Sequence, residues 1–159
     1  MPALADTTIT AQLLGVLAEA LDGPGQDWSY FSDPQPSAGL LGSVASLTPA
    51  QASRPVGRHG TSIAAHLHHL AFSLAASAAW IRGDQRPVNW SESWRVQTVS
   101  AVEWTALQER ARMTGVALRQ AIEHHALGTE AAFGGSVGAL AHAVYHLAAI
   151  RQKAVEVRG

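Results

Sequence analysis

The sequence predicts an all-α protein, a bundle of four long helices, and three observations predict it. Apolar residues recur at three- and four-residue spacing over four long stretches. Helix-starting and helix-stopping residues stand at the ends of those stretches. No stretch of useful length alternates polar with apolar residues as a half-buried strand does, and no internal repeat is visible. At 159 residues the chain suits one domain spanning 1–159 and can bury roughly two thirds of its unfolded surface.

The first helix is expected from about Thr8 to Leu21, with Ile9, Leu13, Leu14, Val16, Leu17 and Leu21 on its apolar stripe and Gly23-Pro24 as its stop. From Gly23 to Gly60 the chain turns to Pro, Gly, Ser and Asp, with short helical turns expected at "SAGLLGSVASLT" and after Thr48-Pro49. A connection of that length packs on the surface or borders a site. Thr61 or Ser62 caps the second helix, "IAAHLHHLAFSLAASAAWI", which Gly83 ends. Its seven alanines admit a close neighbour. The loop "GDQRPVNWSESWRV" follows, with Asp84, Arg86 and Glu92 expected in solvent. Ser100 and Glu103 match a capping box for the third helix, which runs to about Ala126 with Gly128 beyond it. Ser136 is expected to cap the fourth helix, which continues to about Val157.

Composition narrows the function. Eleven Lys and Arg against twelve Asp and Glu give a net charge of -1, with no footprint for nucleic acid or an anionic membrane. The start carries Asp6 and Glu19 and lacks a basic n-region, so a cytoplasmic location is the expectation. The apolar stretch Ser62 to Ile81 contains three histidines, which suits a buried helix rather than a membrane span. Charged residues make up 14% and apolar ones 47%, a balance that suggests extensive burial and a homodimer. With no cysteine in the chain, any metal must sit on His, Asp or Glu.

Histidines are the unusual feature. His66, His68 and His69 fall in the second helix, His124 and His125 end the third, His142 and His146 lie in the fourth, and His59 stands alone. Residues four apart share a helical face, so His142 and His146 point the same way from an otherwise apolar stripe. Two core histidines with carbonyl or hydroxyl partners would explain them. So would a metal, provided the second helix packs nearby and offers His69, or His66 one turn earlier, as a third neutral nitrogen. His68 points about 100° away from His69. His124 and His125 suit the negative end of a helix dipole. Trp104 and Trp80 are expected in the core, while Trp90 and Trp94 are expected as core lids or as walls of a substrate pocket.

The segments "TSIAAHLHHLAFSL", "NWSESWRVQTVSAVEW" and "GALAHAVYHLAAIRQ" together resemble the DinB/YfiT-like family of metal-binding four-helix bundles. The resemblance runs from about the first helix to Gln152, and "HAVYHLAAIRQ" is its most specific part. It implies a divalent metal, zinc first with nickel and iron as further options, on one histidine of the second helix and two of the last. Matching "HHL" gives His69, His142 and His146, with His66 as the alternative first ligand. It also implies a thiol-dependent S-transferase or isomerase using bacillithiol, mycothiol or glutathione.

The residues agree with that chemistry on their own terms. A metal-bound thiol is held as thiolate, so a chain without cysteine can still present a sulfur nucleophile. One alternative is a metal-dependent hydrolase, which benefits from a carboxylate general base. Neither histidine helix carries Asp or Glu within a turn of the candidate ligands, which favours the thiol. The other alternative is a non-catalytic, stress-associated metal-binding protein.

Overall fold

The computed structural model describes residues 4–25, 28–58 and 60–159. His59 lies outside them. The chain forms α1 (Asp6–Asp22), α2 (Leu40–Ala45), α3 (Pro49–Ser53), α4 (Ile63–Ile81), α5 (Ala101–His125) and α6 (Glu130–Arg158), with single 3-10 turns at Pro36–Ala38 and Trp90–Trp94. Among the described residues there is no strand, only an isolated bridge between Val56 and Thr61.

Local chemistry sets most of these boundaries. The Ser62 hydroxyl accepts the Ala65 N–H at 3.0 Å and donates to the Gln97 carbonyl at 2.6 Å, so it caps α4 and ties that helix start to the segment before α5. Gly83, at φ 94°, adopts the left-handed geometry that ends α4. Ser100 and Glu103 form the expected capping box on α5.

The start of α6 departs from expectation. Thr129 is the cap, its hydroxyl accepting the Ala132 N–H at 3.0 Å. Ser136 sits two turns inside the helix, buried, with its hydroxyl donating to the Ala132 carbonyl at 2.8 Å. Gly134 and Gly135 lower helix propensity, yet the helix runs through them.

Helix α4 packs along both α5 and α6, and α1 packs against the same two helices. The interior is one continuous apolar cluster that includes Leu17 and Leu21 of α1, Leu67, Leu70 and Leu74 of α4, Leu118 and Ile122 of α5, and Leu147 and Ile150 of α6. Burying each such side chain contributes about 1.5–3 kcal/mol. Ala64, Ala71 and Ala78 of α4 are also fully buried, as the alanine count anticipates. Helix α6 is long and apolar enough, at a mean hydropathy of 1.3, to match a membrane span by composition, but Leu140, Leu147 and Ile150 are packed inside the protein.

The long connection after α1 does more than cover the surface. Leu40, Val44, Leu47 and Ala52 enter the core, and the Trp104 indole donates to the Leu47 carbonyl at 2.8 Å. Glu19, 4% exposed, holds its first stretch: the carboxylate accepts the N–H groups of Tyr30, Phe31 and Ser32 and the hydroxyls of Ser29 and Ser32. Burial alone would raise the Glu19 pKa, but these hydrogen bonds prevail and hold it at about 2.

Candidate metal centre

Helix spacing and packing bring four imidazoles to one place. His142 and His146 share a face of α6, and α4 lies alongside, presenting His66 and His69 one turn apart. The His69 and His142 Nε2 atoms are 3.0 Å apart, and one ring nitrogen from each of His69, His142 and His146 lies within 4.8 Å of the others. His66 instead meets His146, Nδ1 to Nδ1, at 3.0 Å. Between the two candidates for a first ligand, His69 joins the three-nitrogen group and His66 stands behind His146.

Partners outside the group decide which nitrogen atoms are free. The Ser93 hydroxyl donates its single proton to the Trp90 carbonyl at 2.6 Å, so towards His69 Nδ1, 2.8 Å away, it can only accept. His69 therefore carries its proton on Nδ1, and its Nε2 lone pair faces His142. The Ser93 carbonyl accepts from His68 Nδ1 at 2.8 Å, which turns His68 away from the cluster as its helical position requires. Ser93 is fully buried and clamps both neighbouring rings. On α6, contact of His146 Nδ1 with His66 leaves its Nε2 for the group, given a proton on Nδ1.

Electrostatics keep the rings neutral. Burial, reinforced by Lys153 and His69, lowers the His66 pKa to about 4. Burial, with His142 and His68 behind it, takes His69 to about 4. His146 falls to about 3 through burial first and then His142, His69 and His66, and burial lowers His142 as well. Neutral imidazole is the form that ligates a metal.

The donor set fits a divalent cation. Nitrogen atoms bound to one zinc stand about 3.3 Å apart, given bond lengths near 2.0–2.1 Å, so the 3.0 Å His69–His142 pair is close to that spacing and the other pairs lie within 4.8 Å. The group contains no carboxylate.

Both tryptophans of the 3-10 turn border the cluster, in different ways. Trp94 stacks on the His69 ring with centroids 4.1 Å apart and an interplanar angle of 17°, and it also approaches His66 and His146. Trp90 packs edge-on against Phe72 and lines a cleft that ends at His142. Trp80, which the sequence places in the core, is 42% exposed and lines the same cleft, whereas Trp104 is buried as the sequence predicts. His124 and His125 are exposed at the last turn of α5, beside the first turns of α1. One contributor escapes a reading of spacing alone: Ser93 sits in a turn whose serines look interchangeable. His66, the alternative first ligand, instead borders the group through His146 and Trp94.

Comparison with family models, with curated proteins and with solved structures gives no match for this chain.

Proposed function

We propose that this protein is a metal-dependent thiol S-transferase of the DinB/YfiT-like kind. In this reading His69, His142 and His146 hold a divalent cation, zinc first with nickel or iron as alternatives, and a small thiol of the bacillithiol, mycothiol or glutathione type is the nucleophile. The observation that carries it is the convergence of three imidazoles in a group that, among the described residues, contains no carboxylate. A bound divalent cation would lower the pKa of a coordinated thiol enough to keep its sulfur as thiolate at neutral pH. The chain's own residues do the rest: Ser93 and His66 orient two of the ligands, and Trp94 covers the His69 ring. A hydrolase would want a carboxylate base beside the cation, and none belongs to this group.

The test has two arms. Elemental analysis of protein purified without a nickel column should give one divalent metal per chain, lost in His69→Ala, His142→Ala and His146→Ala but kept in His124→Ala. Cobalt-loaded protein should then develop a near-ultraviolet charge-transfer band on addition of one of the three thiols. Because the chain has no cysteine, that band can come only from the added sulfur. Equal metal content in all four variants would remove the ligand assignment. Cobalt occupancy with no band at millimolar thiol would remove the transferase.

A further inference from the structure

We propose that the cleft between α4 and α6 binds a neutral, flat aromatic molecule and presents it at His142. On the thiol-transfer reading that molecule is the electrophile, but its binding does not depend on that reading. The cleft has a volume of about 430 Å³, within the range of small-molecule sites, and His142 is half-buried among its lining residues.

Its shape follows from residue sizes. The facing positions are small: Ser73, Ala76 and Ser77 on α4, and Gly135, Gly138 and Ala139 on α6. A Cβ at Gly135 would come within 2.8 Å of Trp80 Cδ1, so only glycine lets that indole lie against α6. The Trp80 N–H donates to the Ala131 carbonyl at 3.2 Å and fixes the ring. A Cβ at Gly138 would meet nothing within 4 Å, which leaves open space on the α6 side. Trp90 forms another wall, held by Phe72 at a centroid distance of 5.7 Å and through its carbonyl by Ser93.

The result is a slot bordered by large apolar side chains that the protein's own core does not cover. Trp80, Trp90 and Val88 are 42%, 50% and 38% exposed. Rigid indoles beside an unfilled space favour a flat π-system, through stacked or edge-on contact.

Charge sets the second half of the specificity. Among the described residues no carboxylate lines the cleft, and the one cation that does, Arg86, is engaged by Asp84 through Nε at 2.8 Å and Nη2 at 2.5 Å. An anionic ligand would have to compete with that carboxylate, and a cationic one would find indole faces but no carboxylate among the described lining residues. A neutral ligand meets the apolar walls with no charge to desolvate. The thiols of the proposed reaction are polar and bear carboxylates or sugars, so this cleft suits the other reactant.

The test uses full-length protein incubated with zinc, its metal uptake measured, with 4-nitroanisole as the neutral probe and 4-nitrobenzoate as its anionic counterpart. Calorimetry should show saturable binding of 4-nitroanisole, at least tenfold tighter than 4-nitrobenzoate, and the Trp80 and Trp90 indole N–H resonances should shift. Gly138→Leu places a side chain in the open space of an exposed helical position. It should weaken 4-nitroanisole binding at least tenfold while circular dichroism and metal content stay as in the parent chain. Trp90→Ala should weaken it as well. Unchanged binding in Gly138→Leu, or a preference for 4-nitrobenzoate, would overturn the assignment. Nitroanisole binding by a chain that takes up no metal would leave the cleft standing and end the transferase reading. Metal uptake without nitroanisole binding would do the reverse.

Discussion

Ser93 joins the loop to the candidate ligands at the scale of single atoms. Its hydroxyl has one proton, the Trp90 carbonyl takes it, and the remaining lone pair fixes the His69 tautomer. Ser93→Ala removes that constraint without adding bulk. His69 can then carry its proton on Nε2, where it would block ligation, so metal affinity should fall about 10–100-fold, the usual effect of losing an outer hydrogen bond to a ligand. A competitive chelator titration measures this, and Ser93→Thr should recover most of the loss because it restores the hydroxyl. Unchanged affinity in Ser93→Ala would show that the hydrogen bond orients nothing. At this scale the sequence was half legible. His142 and His146 are announced by spacing, because residues four apart on a helix must share a face. Spacing within one helix does not separate His69 from His66; the "HHL" resemblance picks His69, and the packing of α4 on α6 brings it to His142 and His146. The role of Ser93 depends on a loop carbonyl from Trp90, and no pattern of residue types signals it.

Among the elements, α6 separates the rules that hold from one that fails. Ser62, Gly83 and the Ser100–Glu103 box mark their helix ends in the structure as they do in the sequence, since each acts through backbone groups within a few residues. Ser136 misleads because it follows two glycines, a combination that reads as loop then cap. Packing reverses this locally: Gly135 is small enough for Trp80 to lie across it, and the helix extends back to Thr129. If Thr129 is the functional cap, Thr129→Ala should cost about 1 kcal/mol of stability in denaturant unfolding. Ser136→Ala should stay within about 0.5 kcal/mol, because the Ala132 carbonyl keeps its helical partner when the hydroxyl goes. The opposite ranking would place the effective helix start at Ser136. The connection before α4 forms the two short helices its sequence predicts, Leu40–Ala45 and Pro49–Ser53 behind Thr48, but not in the surface position its composition suggests. Its polar composition conceals Leu40, Val44 and Leu47, which are too few to show a period yet enter the core.

At the scale of the whole molecule, a low charged fraction must go somewhere, and the exposed side of α6 is where it surfaces. Tyr145, Ala148, Gln152 and Val155 are all exposed, uncharged and spaced by three, four and three residues, the step pattern of a helix seam that packs on another helix. Tyr145 and Val155 are 68% and 72% exposed. A two-fold axis passing near Ile150 would set Tyr145 against Val155 of a second copy and Ala148 against Gln152, large against medium and small against long, so the seam complements itself. Gly138 lies twelve residues from that axis, about 18 Å along the helix, so such a dimer leaves the cleft beside His142 open. Light scattering at micromolar concentration should therefore give about twice the 16.7 kDa chain mass. Ala148→Arg, which puts an unpaired cation at an exposed seam position, should return the protein to a single chain while leaving its helical content and metal content unchanged. A parent protein that scatters as one chain, or a dimer indifferent to Ala148→Arg, would place the excess apolar surface outside any α6 interface.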